Sequence, residues 1–136
     1  MLTEKDYCDY ETCVALKEYG YVGSSRYYYT QQDRKFHYAA YNIFYTVRTA
    51  DAMGYVLAIH LYDAQKFLRE EKKMHIEIWT VGKKPIRYCY TVHTLNHTGE
   101  TKGWSSGKRC NTYEEALSEG IKEAVKILKE DETIHR

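Results

Sequence analysis

His75-Ile76-Glu77 sets an imidazole and a carboxylate two residues apart, the H-x-E spacing with which zinc deaminases hold a metal and move a proton. That chemistry needs a P-C-x-x-C further on, and none follows. Alternation along a strand puts His75, Glu77 and Trp79 on one face, and a solvated strand face accounts for all three. Cys8, Cys13, Cys89 and Cys110 show no C-x-x-C spacing of the kind that makes a zinc or redox site legible. They are expected to be free thiols buried as small hydrophobes, with no metal and no cofactor. A Cys/His nucleophile drawn from Cys89 or Cys110 with His93 or His97 is the remaining catalytic arrangement, but no spacing supplies a third group to orient it. Gly-rich phosphate loops, G-x-S-x-G elbows and H-E-x-x-H are all missing from the sequence. These residues favour a non-enzymatic protein.

Binding chemistry is better represented. Twelve of the fifteen tyrosines precede residue 63, six of them in RYYYTQQDRKFHYAAYNIFY (26–45). In a strand Tyr27 and Tyr29 share one face and Tyr28 takes the other; in a partner strand Tyr41, Ile43, Tyr45 and Val47 oppose Phe36, Tyr38, Ala40 and Phe44. Helices on one side of such a sheet leave an aromatic, half-wet face, the mark of a partner surface, and Tyr suits it because the ring buries area while the hydroxyl keeps a polar partner. The candidate binding residues are Tyr28, Tyr38, Tyr41 and Tyr45. A second set comes from charge. From Lys83 to Cys110 six bases, including Lys83, Lys84, Arg87, Lys108 and Arg109, stand against Glu100 alone, and from Asn111 to Glu132 seven acids stand against three lysines. With Trp104 interleaved, the basic segment could track a phosphate backbone and stack bases. Against that stand a net charge of only +1 and the simpler account of a solvated hairpin paired to the acidic helix.

Three helices have to position these groups. The first runs from Asp6 or Asp9 to Tyr19, with Thr3 and Asp6 at capping-box spacing and Gly20 as its stop. The second covers Leu61 to Lys73, with Leu61, Ala64, Phe67 and Leu68 on one stripe. The third starts at Asn111 or Thr112, where Thr112 and Glu115 have capping-box spacing, and carries Tyr113, Ala116, Leu117, Gly120, Ile121, Ala124, Val125 and Leu128 at helical period. Gly120 costs about 1 kcal/mol against Ala in mid-helix, so it marks a close approach by a neighbouring element. Strands are expected at His75–Val81 and Ile86–Leu95 around a Gly82–Pro85 turn, and at Arg26–Thr30 and His37–Val47 across QQDRK. A short strand near Trp104 is a further expectation, and Tyr55–Ile59, after a turn at Met53-Gly54, is either a short strand or a lead-in to the second helix. The order α-β-β-α-β-β-α implies an α+β fold with an antiparallel sheet of about four to five strands and helices mainly on one face.

The stretches CVALKEYGY (13–21), the YYY after it, AQKFLREEKKMHI (64–76) and TYEEALSEGIKEAVKIL (112–128) together resemble a family of small uncharacterised gut-bacterial proteins, often found in phage-like or mobile-element contexts. Members commonly enter the second helix through Pro-Thr and carry Trp at the position of Phe67; here Ile59-His60 replaces the pair. The resemblance implies an α+β fold and a cytosolic bacterial setting, and no activity. Without a Pro/Gly/Ser linker or an internal repeat, residues 1–136 are expected to form one domain. The longest apolar run, Tyr55–Ile59, is far short of a membrane span, so the expected setting is the cytoplasm, with no membrane partner. The function expected is a non-enzymatic interaction protein that forms a homodimer or docks a protein partner through its aromatic sheet face; the alternative is single-stranded nucleic-acid or polyanion binding through the basic 83–110 region.

Overall fold

The structure, a computed structural model, describes residues 3–40, 43–95, 101–105 and 107–134. The chain divides into two compact units, Met1–His60 and Leu61–Arg136. Thr3 and Asp6 do form a capping box, but it closes only a 3-10 turn, Glu4–Asp6. Helix α1 (Tyr10–Glu18) starts instead from Asp9, whose carboxylate accepts the Thr12 amide at 2.8 Å. Its end is a Schellman motif: the Gly20 amide donates to Lys17 and that of Tyr21 to Leu16, with Gly20 at φ +100°, where a side chain would be strained.

The N-terminal unit then forms two small antiparallel sheets. β1 (Ser24–Ser25) pairs with β4 (Tyr45–Thr46), and β2 (Tyr27–Thr30) lies between β3 (Phe36–Tyr38) and β5 (Tyr55–Leu57). This corrects the expected hairpin. The segment 37–47 is not one long strand, because β3 stops at Tyr38 and Thr46 turns the chain into a short helix, α2 (Val47–Ala52). The Thr46 and Thr49 hydroxyls each accept the other's amide, at 3.2 and 2.7 Å, a capping box written T-x-x-T rather than with the Glu or Gln that usually announces one. β5 takes the second edge of β2, with Tyr28 opposite Leu57 and Thr30 opposite Tyr55.

The C-terminal unit follows the sequence closely. α3 (Leu61–Glu71) leads to β6 (Met74–Val81), β7 (Arg87–Leu95), β8 (Thr101–Ser105) and α4 (Tyr113–Ile134), with strand order β6-β7-β8. The short strand near Trp104 is β8. Leu61, Ala64, Phe67 and Leu68 are buried as the stripe requires, and with Ala116, Leu117, Ile121, Ala124 and Val125 they pack α3 and α4 against β6 and β7. Thr112 caps α4, accepting the Glu115 amide at 3.1 Å. The sheet face towards the helices carries Ile76 opposite Val92 and Ile78 opposite Tyr90. Gly120 lies on that face: a Cβ there would come within 2.7 Å of Ile76 Cγ2 and 3.4 Å of Tyr90.

Among the described residues, one antiparallel sheet of four to five strands is therefore replaced by three sheets, β1-β4, β3-β2-β5 and β6-β7-β8, with four α-helices. Pairing in the N-terminal unit is shared among strands of two to four residues, each too short to show a period of its own.

Candidate functional site

The two faces of β3-β2-β5 sort the tyrosines. On one face Tyr29 is only 2% exposed and donates its hydroxyl to the Cys8 carbonyl at 2.7 Å. Phe36 stacks on Tyr27 with ring centres 5.2 Å apart, Tyr7 lies 4.9 Å from Tyr27, and Tyr10 of α1 meets Tyr29 edge-on. Tyr7 and Tyr29 are core, while Tyr10, Tyr27 and Phe36 are half-buried around them. Burial pushes the Tyr29 hydroxyl far above the ordinary tyrosine range.

On the other face Tyr28 stacks between His37 at 5.5 Å and Tyr55 at 4.1 Å, while Tyr45 stands edge-on to both Tyr28 and Tyr55, at 5.4 and 5.6 Å. All four are half-buried. Burial first, and then the adjacent Tyr55 hydroxyl, raise the pKa of Tyr28. Asp33 closes one end of the column by accepting from His37 at 3.2 Å, the Lys35 amide at 2.8 Å and the Thr30 hydroxyl. That set, led by the Thr30 hydroxyl, holds the Asp33 carboxyl at about 2. A depressed folded pKa means that the contribution of Asp33 is present above the ordinary carboxylate range and is lost as pH falls towards 2. The Asp33 carboxyl is accordingly expected to titrate near pH 2 by NMR, and Thr30→Val to move its midpoint back towards 4; a wild-type midpoint near 4 would contradict the turn geometry.

The structure thus brings Tyr28 and Tyr45 together and adds His37 and Tyr55, which sequence reasoning did not place in the site. Tyr38 does not join them. It is 70% exposed and sits across from Tyr27 on the opposite face. Tyr41 lies outside the described residues. Exposed Ile43 and Phe44 immediately precede Tyr45. Arg26, between β1 and β2, has its Nε buried with no hydrogen-bond partner among the described residues, and nothing in the structure explains it.

The basic set borders the start of β7. Lys83 and Lys84 are exposed in the β6–β7 turn, and Arg87 starts β7 opposite Val81. Lys108 and Arg109 precede Cys110, whose backbone bridges Tyr88. Lys108 pairs with Glu119 of α4 at 3.8 Å, a carboxylate that also meets Lys122 at 3.7 Å. Trp104 pairs in β8 with Val92; its side chain lies outside the described residues.

His75, Glu77 and Trp79 do share the sheet face turned away from α3 and α4, and all three are exposed. A polar network crosses it: His93 meets Glu77 at 3.0 Å, Trp79 donates to Thr91 at 3.0 Å, and Thr91 meets Ser105 at 3.0 Å. Cys89 and His93 are four residues apart on one strand, about 13 Å at strand rise, so they form no dyad; His97 lies outside the described residues. All four thiols are buried and unbridged. No group of three His, Cys, Asp or Glu side chains among the described residues is placed to hold a metal ion.

Fold and surface define a mixed α+β protein with several antiparallel sheets and, among the described residues, four α-helices. No helix among the described residues is long and apolar enough to cross a membrane. Comparison with protein-family models, with curated proteins and with solved structures gives no match.

Proposed function

We propose that the protein is a non-enzymatic interaction module that self-associates through the Tyr28 face of its N-terminal unit. The observation that supports this reading is the column His37–Tyr28–Tyr55 with Tyr45 edge-on, four half-buried rings on one face. Aromatic clusters of this kind supply rigid area at low entropic cost and dominate interface energetics. A net charge of +1 leaves little long-range repulsion between two copies. A cytoplasmic, gut-bacterial and mobile-element setting belongs to the same proposal and rests on the sequence resemblance alone.

Sedimentation velocity at micromolar concentration should give a dimer, and Tyr28→Ala with Tyr45→Ala should weaken it by about tenfold or more while circular dichroism and cooperative melting persist. A monomer at every accessible concentration would remove the self-associating form and leave docking of another protein to be sought by affinity capture. The alternative, polyanion binding through Lys83, Lys84, Arg87, Lys108 and Arg109, has the Lys108–Glu119 pair against it. Fluorescence anisotropy with labelled oligonucleotides at about 50 mM salt, where counterion release contributes most, is expected to stay flat; a salt-sensitive rise would transfer the function to the basic segment.

A further inference from the structure

Asp9 is the N-cap of α1, which makes Cys8 the residue before the cap and Cys13 the fourth residue of the helix. Those are the two positions that a hydrophobic staple brings into contact to fix the angle at which a chain enters a helix. Here both staple residues are cysteines, 2% and 0% exposed. The Cys13 thiol lies 3.5 Å from the Cys8 carbonyl oxygen and accepts the Ile59 amide at 3.4 Å. Cys8 is anchored from the other side, its amide donating to Ile59 at 2.8 Å and its carbonyl accepting the Tyr29 hydroxyl at 2.7 Å. The Cys13 thiol is thus fixed against the backbone of the residue that carries the other sulfur.

We propose that Cys8 and Cys13 are a latent disulfide, a redox-responsive staple at the start of α1. A small disulfide such as glutathione disulfide is the co-reactant. One cysteine gives up its proton and attacks a glutathione sulfur, expelling one glutathione thiolate and leaving a protein–glutathione mixed disulfide. The second cysteine, deprotonated in turn, attacks the protein sulfur of that bond and expels the second glutathione. Two thiols are oxidised, one glutathione disulfide is reduced to two glutathiones, and the protons lost by the protein are taken up by the leaving thiolates. The fold supplies proximity, which makes the second step intramolecular. It also supplies a brake. The neighbouring Cys13 thiol and burial together keep the Cys8 thiol well above its ordinary value, so the thiolate forms only when the segment before α1 opens. Cys89 and Cys110 are an internal contrast. Cys110 is in register with Tyr88, and neighbouring strand residues point to opposite faces, so their thiols face apart.

The test uses the unmodified full-length chain equilibrated in glutathione buffers, approached from the reduced protein and from protein oxidised in urea and refolded. Trypsin releases residues 6–17, with both cysteines in one peptide, and mass spectrometry reads its oxidation. The expected result is an intact 6–17 disulfide whose effective concentration in the native protein is at least about tenfold that in urea, with no glutathione retained. An effective concentration no higher than in urea, glutathione persisting on Cys8 or Cys13, or preferential linkage of Cys89 to Cys110 would each overturn the proposal.

Discussion

Gly120→Ala is expected to lower the stability of the protein by about 1–2 kcal/mol, against the direction that helix propensity dictates. Replacing a mid-helix glycine with alanine ordinarily gains about 1 kcal/mol. In α4 the new methyl would stand 2.7 Å from Ile76 Cγ2, inside any real carbon–carbon contact, and 3.4 Å from Tyr90. Overpacking of this kind costs about 1–3 kcal/mol, and Ile76 is poorly placed to give way because its β-branched side chain is stiff at χ1 and only 2% exposed. Ile76→Leu removes the branch methyl at nearly constant volume. In that background Gly120→Ala should become neutral or stabilising by up to about 1 kcal/mol, a coupling of about 2 kcal/mol across the pair. Urea unfolding of the four proteins measures it. A stabilising Gly120→Ala in the wild-type background would show that α4 and β6 are not in the contact described.

Tyr29→Ala should be the more damaging change, costing about 3–5 kcal/mol, because it removes a fully buried ring that meets Tyr10 and Phe36 together with the hydroxyl bonded to Cys8. Tyr29→Phe separates the two contributions. It keeps the ring and loses only the 2.7 Å hydrogen bond, for about 1–3 kcal/mol. The same hydroxyl makes the protein sensitive to alkali. Its folded pKa is raised, by burial above all, while the unfolded chain releases the proton near pH 10. The stability it contributes is present below that value and falls as pH rises beyond it, since the unfolded state then binds fewer protons than the folded one. Tyr29→Phe should therefore flatten the loss of stability above pH 10. An unchanged alkaline slope in that variant would place the responsible group elsewhere.

Legibility followed the range of the interactions. The C-terminal unit could be read in detail because its signals are local: the α3 stripe, the Thr112 cap, the alternation of β6 and β7, and Gly120 as a point of close approach all follow from residues a few positions apart. In the N-terminal unit the same tools placed the Schellman stop at Gly20 and separated Tyr27 and Tyr29 from Tyr28, but they extended β3 too far and gave α2 no helix. T-x-x-T is a weak cap signal, and a two-residue strand has no period.

The aromatic site shows the same division. Sequence alone determined that Tyr28 must face away from Tyr27 and Tyr29, because alternation is a property of any extended backbone. It also led to the expectation that one set of rings would lie in the core beneath the helices, because helices gathered on one side of a sheet cover that face. Which rings meet was decided only in three dimensions. Tyr55 reaches Tyr28 because β5 pairs with β2 from twenty-odd residues away, and Tyr45 reaches both through the β1–β4 ribbon. Tyr38 falls on the face opposite Tyr28 because it sits in register with Tyr27. Strand register between distant segments is set by the joint burial of every face at once, and no single stretch of sequence contains that sum.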